Sequence, residues 1–317
     1  MKKYIGTVTT LVIVLALIVL SLIFSNYSLT ENQLTTLMIL GIICGASVLY
    51  CFIIGETANN FSQMDKLWSI LPIVYVWVMA IRGGMSPRLL VYAIIATLWG
   101  IRLTMNFARK GAYKLKFWEG EEDYRWRIVR NKMFKERWKW MLFDFFFISL
   151  YQNALVLAMT LPMLVCMESS APFGVFDYIA AVLGTSFLVL ETVADEEQWK
   201  FQQTKKAKLA EMKELSELPM PFSLGFNTTG LWKVMRHPNY LGEQGIWLSL
   251  YFFAIGAGAT NYYVFNWTLV GPLLLVLLFL ASATLAENIS SSKYPKYQSY
   301  INQVFKYLPI RMFDPSK

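Results

Sequence analysis

Eight stretches of this chain stay apolar for roughly the thickness of a bilayer. They are residues 5–24, 34–54, 67–81, 89–107, 140–167, 173–194, 245–259 and 264–286. Hydrocarbon offers a backbone no partners, so such stretches must become helices that satisfy their own amides. About 20 residues are needed to cross. Stretches 67–81 and 245–259 are short, and the second is glycine-rich. The reading is an all-α, polytopic transmembrane helical bundle of about eight spans. Composition agrees: 56% of the residues are hydrophobic and 16% charged, against about 45–50% and 25% in soluble chains. The first stretch follows Lys2-Lys3, and no small-x-small site follows it at Ser25-Asn26-Tyr27-Ser28. It reads as a retained helix, not a cleaved leader. Residues 1–54 are expected to be anchor helices, and 55–317 a membrane domain.

Lysine and arginine orient the bundle. With eight spans and the N-terminus inside, 26 of the 29 fall in cytoplasmic segments, while Arg82 and Arg88 lie outside and Arg102 within a span. That asymmetry is the positive-inside pattern. It predicts cytoplasmic termini, in a plasma membrane or endoplasmic reticulum. The net charge of +8 then calls for no nucleic acid; anionic lipid or a polyanionic cofactor meets the same surface. Cys44, Cys51 and Cys166 lie in apolar blocks without metal-ligand spacing and read as packing residues. No metal site and no obligate protein partner are expected.

Two long cytoplasmic insertions remain. Residues 109–139 mix charge with Trp118, Tyr124 and Trp126, as interfacial helices do at headgroup depth. The second, 195–242, begins Asp195-Glu196-Glu197-Gln198-Trp199-Lys200-Phe201-Gln202 and ends Arg236-His237-Pro238-Asn239-Tyr240-Leu241-Gly242, followed by Glu243. His237 is the single histidine. Pro238 pushes His237 out of the α region and opens a helix. That helix's free first-turn amides favour an anion, and Arg236 offers a bidentate phosphate contact. A plain helix start with a surface histidine is the competing reading. A lone histidine makes neither a triad nor a zinc site.

Gly230-Leu231-Trp232 and the run from Arg236 to Glu243 resemble the C-terminal signature shared by sterol reductases, steroid 5-alpha-reductase-like proteins and isoprenylcysteine carboxyl methyltransferases. Glu287-Asn288, Tyr294, Tyr297, Tyr300 and Leu308-Pro309 are similar to the acidic pair, tyrosines and terminal Leu-Pro of that group. Asp195 through Gln202 looks like the reductases' polar segment. Asp65-Lys66-Leu67-Trp68 and Trp99-Gly100-Ile101-Arg102-Leu103 fit the steroid 5-alpha-reductase-like branch of bacteria and protists. The resemblance covers about residues 55–310. It implies a cytoplasmic cofactor site made by Asp195, Gln202, Trp232, Arg236, His237, Asn239, Tyr240, Glu243, Tyr297 and Tyr300. The reductases use NADPH and the methyltransferases S-adenosylmethionine. The polar segment favours NADPH, although Gln202 stands where the reductases tend to carry arginine; Lys200, Lys205 or Lys206 are the available replacements.

Ionisable groups in spans default to functional hypotheses. Asp65, Arg102, Asp144 and Glu191 border or enter spans, and Gln152-Asn153 lie inside one. Asp65 or Asp144 pairing with Arg102 as structural glue is one reading; the wall of a pocket entered from lipid is the other. The resemblance implies Asp65, Arg102 and Glu287 on the substrate side, with Trp99 where the reductases have tyrosine. The expected activity is NADPH-dependent reduction of a C=C bond conjugated to a carbonyl, in a sterol, prenoid or acyl substrate. The alternatives are methyl transfer to a lipid-borne group and non-enzymatic lipid binding.

Overall fold

The computed structural model describes residues 2–25, 28–212, 214–260 and 264–316, with side chains from residue 7 onward. Helix makes up 74% of it, with no strand among the described residues. In chain order the α-helices are α1 (Lys2–Ile23), α2 (Glu31–Ala58), α3 (Gln63–Leu67), α4 (Leu71–Arg82), α5 (Pro87–Ala108), α6 (Tyr124–Met133) and α7 (Arg137–Phe143). They continue as α8 (Gln152–Thr160), α9 (Val175–Met212), α10 (Pro238–Leu250), α11 (Phe252–Gly256), α12 (Val270–Lys293) and α13 (Tyr297–Gln303).

Five helical stretches are long and apolar enough to cross a membrane: Glu31–Ala58, Pro87–Ala108, Arg137–Cys166, Val175–Met212 and Trp267–Lys293. The chain is accordingly an integral membrane protein by length and composition. Eight spans were expected, and two of the other stretches, 67–81 and 245–259, are shorter for visible reasons. Stretch 67–81 yields only α4, because residues 68–70 form a turn and the helix starts at Leu71, with Pro72 in its first turn, where a missing N–H is tolerated. Stretch 245–259 is divided at Tyr251 into α10 and the five-residue α11. The first stretch forms α1, Lys2–Ile23, whose described side chains make the apolar helix Thr7–Ile23.

Local chemistry sets several ends. Thr30 and Gln33 form a capping box on α2, satisfying two otherwise orphaned amides. Asn59 closes α2 with φ of 50°, a left-handed cap that asparagine tolerates. Arg137–Cys166 is a composite: α7, a π-helix (Asp144–Tyr151), α8 and a 3-10 turn (Leu161–Cys166).

The chain forms two compact units. One comprises residues 18–182 and 247–274. Its interior holds Trp99 and Trp247 edge to face at 5.0 Å, and Phe61 and Trp140 at 4.8 Å. Its polar keystone is Arg88, which sequence analysis assigned to an outer loop. Arg88 is 4% exposed and Asp177 0%. Nε donates to Asp177 Oδ1 at 2.6 Å and Nη2 to Oδ2 at 2.9 Å. Its other hydrogen bonds reach Ser169 Oγ and the Ala171, Pro172 and Gly256 carbonyls.

The second unit comprises residues 1–17, 183–246 and 275–317. Leu224, Phe226, Tyr297, Tyr300, Ile301, Val304 and Phe313 form its aromatic core. Within it α10 lies against α9 at Gly242, where an added Cβ would sit 2.5 Å from Glu191 Cβ and 2.9 Å from its Cα. Close backbone approach through small residues is how membrane helices gain dispersion contact. Gly242→Ala should therefore destabilise by about 1–3 kcal/mol through overpacking. Thermal unfolding in detergent checks this; an unchanged melting temperature would mean that α9 yields freely.

Candidate functional site

The second unit gathers most of the residues singled out in the Arg236–Glu243 run around one buried acid. Pro238 opens α10 as expected. His237, immediately before it, is not on the surface: it is 5% exposed. Its Nε2 lies 3.0 Å from Glu287 Oε1. The same carboxylate oxygen accepts from Arg236 Nε at 2.8 Å. Burial holds the His237 imidazole below its ordinary pKa, outweighing the opposing pull of Glu287. The neutral ring then donates through Nε2 and leaves its Nδ1 lone pair available. The Tyr240 ring stacks on it, 5.1 Å between centroids and 15° from parallel.

Arg236 is committed inward. Its Nη1 donates to the Ile301 carbonyl at 3.1 Å and to the Val304 carbonyl. Backbone bonds continue the seam: Arg236 N to Phe305 O and His237 N to Lys306 O, both 3.1 Å, and Phe313 N to Lys233 O at 2.9 Å. Tyr300, 1% exposed, donates its hydroxyl to the Trp232 and Met235 carbonyls. Tyr297 packs on Phe226 at 4.8 Å. Sequence analysis placed both tyrosines on a ligand; here they hold the aromatic core.

A polar rim from α9 faces this seam. Asn239 Nδ2 donates to Asp195 Oδ1 at 3.1 Å, and Trp232 Nε1 to the Ala194 carbonyl at 3.0 Å. Glu197 Oε2 accepts from Leu231 N at 2.9 Å. Gly230, at φ +52°, makes that possible: a Cβ there would lie 2.1 Å from Glu197 Oε1. Asn239 Oδ1 and Gln198 Oε1 are buried acceptors with no hydrogen-bond partner among the described residues. Gln202 is half-buried on α9, and Glu243 is buried within α10. Of the lysines nearby, Lys205 is held by the Gly225 carbonyl at 2.7 Å and Lys200 lies 3.7 Å from Glu196, while Lys206 is exposed.

Asp65 and Arg102 belong to the first unit and Glu287 to the second. Asp65 accepts from Trp126 Nε1 at 2.8 Å. Burial, reinforced by nearby Asp123, raises its carboxyl above the usual carboxylate range. Arg102 is half-buried on α5. Next to Asp65, the wholly buried Lys66 donates to the Phe117 and Glu119 carbonyls at 2.8 and 2.7 Å, fastening the 109–123 loop. Among the described residues no group of three or more His, Cys, Asp or Glu is placed to hold a metal.

Sequence reasoning named Glu287 but missed its partners. A buried arginine and histidine require a counter-charge, and Glu287 is the single acid of the last apolar helix; that signal was available. The carbonyls of residues 301–306 left none.

A family profile described as Protein of unknown function (DUF1295) matches residues 51–304, which include Asp195, Arg236, His237, Asn239 and Glu287. The chain belongs to that family. As a DUF1295 protein it is also similar to an uncharacterised protein of Schizosaccharomyces pombe, 34% identical over 296 residues, which cover 90% of this chain and 82% of the relative. No solved structure matches it.

Proposed function

We propose that this DUF1295 protein is a steroid 5-alpha-reductase-like membrane enzyme. It uses NADPH to reduce a C=C bond conjugated to a carbonyl in a lipophilic substrate that enters from the bilayer. The supporting observation is the pairing at the start of α10. A rigid buried His237–Glu287–Arg236 cluster stands beside a half-exposed polar rim in which Asn239 Oδ1 and Gln198 Oε1 lack donors. Buried acceptors without partners are costly, and amide or ribose hydroxyl donors of a dinucleotide would satisfy them. The first-turn amides of α10 and the lysines of α9 supply positive potential for phosphates. The eight-span topology with cytoplasmic termini belongs to this proposal and puts the rim in the cytosol.

In such a reaction NADPH supplies hydride to the β-carbon. The protein must meet negative charge developing on the carbonyl oxygen and give a proton to the α-carbon. Asp65 is suited to the second task, since burial raises its carboxyl above the usual carboxylate range, the direction in which an apolar site turns a carboxyl into a proton donor. Arg102, half-buried on α5, has the chemistry of a donor to the oxygen. Asp195, Asn239, Tyr240, Trp232 and Gln202 are proposed to hold the cofactor; His237, Arg236 and Glu287 position them.

Titration of the purified protein should show tryptophan-to-NADPH energy transfer and a raised melting temperature. Asn239→Ala should weaken NADPH about tenfold, the worth of one or two hydrogen bonds, without lowering the cofactor-free melting temperature. A shift with S-adenosylmethionine and none with NADPH would replace the reductase with a methyltransferase. Silence with both would leave a lipid-binding role.

A further inference from the structure

The first unit carries a second feature that this activity does not use. Residues 125–139 contain seven arginines and lysines against one acid, Glu136, and Glu136 is paired with Lys139 at 2.7 Å. Within that stretch, where α6 gives way to α7, lies a cleft of about 380 Å³ lined by Asn59, Arg130, Phe134, Lys135, Arg137 and Trp140. Positive-inside charge alone asks only for exposed lysines. This cleft is built. The Arg130 guanidinium lies 5.3 Å from the Phe61 ring and 5.7 Å from the Trp140 ring, while Nη1 donates to Asn59 Oδ1 at 3.1 Å. Arg137 is fixed by Glu56. Two arginines are thus oriented before any ligand arrives, which lowers the ordering cost of binding. Lys135 is exposed beside them.

The cleft sits at the start of the membrane stretch Arg137–Cys166. On that same α7, Trp138, Met141 and Leu142 are 56%, 41% and 45% exposed. Positive charge and fixed donors thus adjoin an exposed apolar surface at one interfacial helix. We propose that this cleft binds the phosphate headgroup of an anionic membrane lipid, with the acyl chains lying along Trp138, Met141 and Leu142. Arginine meets phosphate oxygens in bidentate geometry, and the chains complete a site that a free anion would fill only in part.

The test is native mass spectrometry of the delipidated full chain in neutral detergent. Phosphatidylglycerol, phosphatidylcholine and glycerol phosphate are added separately. Phosphatidylglycerol should be retained about tenfold more strongly than phosphatidylcholine, in line with juxtamembrane charge binding anionic lipid, and glycerol phosphate should not compete at equal concentration. Lys135→Glu should weaken retention about tenfold, whereas Lys132→Glu, exposed on α6 but outside the cleft, should change it less than twofold. Both sites are exposed, so both variants should fold, and a monodisperse elution profile checks that. Equal retention of the two lipids overturns the proposal, as do equal losses in the two variants, which would mean diffuse charge. Competition by glycerol phosphate also overturns it and makes this a site for a soluble anion.

Discussion

An Arg88→Met variant will lose about 3–5 kcal/mol of stability, the cost of leaving a buried charge without its partner. Methionine matches the length of the arginine stem, so little volume is lost. What disappears is the guanidinium that neutralises Asp177, whose side chain is 0% exposed. Asp177 would keep only the Gly174 amide, at 2.8 Å. The Ala171, Pro172 and Gly256 carbonyls would lose their donor too. The damage should spread from the start of α5 to the start of α9 and the end of α11. Thermal unfolding in detergent reads the loss. Asp177→Asn should cost less, because the amide oxygen still accepts from Arg88. If Arg88→Met unfolds with the wild type, the pair is not the keystone described here.

Glu287→Ala will cost a similar amount, again about 3–5 kcal/mol, for a related reason. Arg236 and Glu287 side chains are each 10% exposed, so Arg236 would be left charged with only the Ile301 and Val304 carbonyls. His237 would lose its acceptor as well. A double variant, Arg236→Met with Glu287→Leu, should recover much of the loss, because apolar replacements of a buried pair are often neutral. This separates charge burial from packing. Under the proposed reductase activity both proteins should also lose NADPH binding, since the α10 start is no longer positioned. Hydrogen exchange at residues 301–306 locates the change. Protection equal to wild type in Glu287→Ala would show that the seam holds without the acid.

The fold was legible where one physical demand dominates. Bilayer-length apolar runs had to be helices, and Pro238 had to begin one. It was less legible where local and global demands compete. A turn at residues 68–70 shortens the third apolar stretch, a break at Tyr251 divides the seventh, and neither changes the hydropathy. Composition likewise gives no sign of the π-helical register at Asp144–Tyr151. In the site, sequence pointed to the neighbourhood of His237 but not to its burial. Its environment comes from Glu287, 50 positions away, and from carbonyls that carry no side-chain signature. Arg88 was read as a loop residue for the same reason: its partner Asp177 is 89 positions away, and nothing in the residues around either one marks the pairing.

The backbone seam between residues 233–237 and 305–313 has a consequence for biosynthesis. The five long membrane helices are all made before residues 304–313. The start of α10 therefore waits for a segment translated later to dock on it. Arg236 and His237 gain the Val304, Phe305 and Lys306 carbonyls only when that segment arrives. A nascent chain can carry all five membrane helices and still lack this seam, so forming the His237–Glu287–Arg236 cluster's full surroundings is a step separate from making those helices.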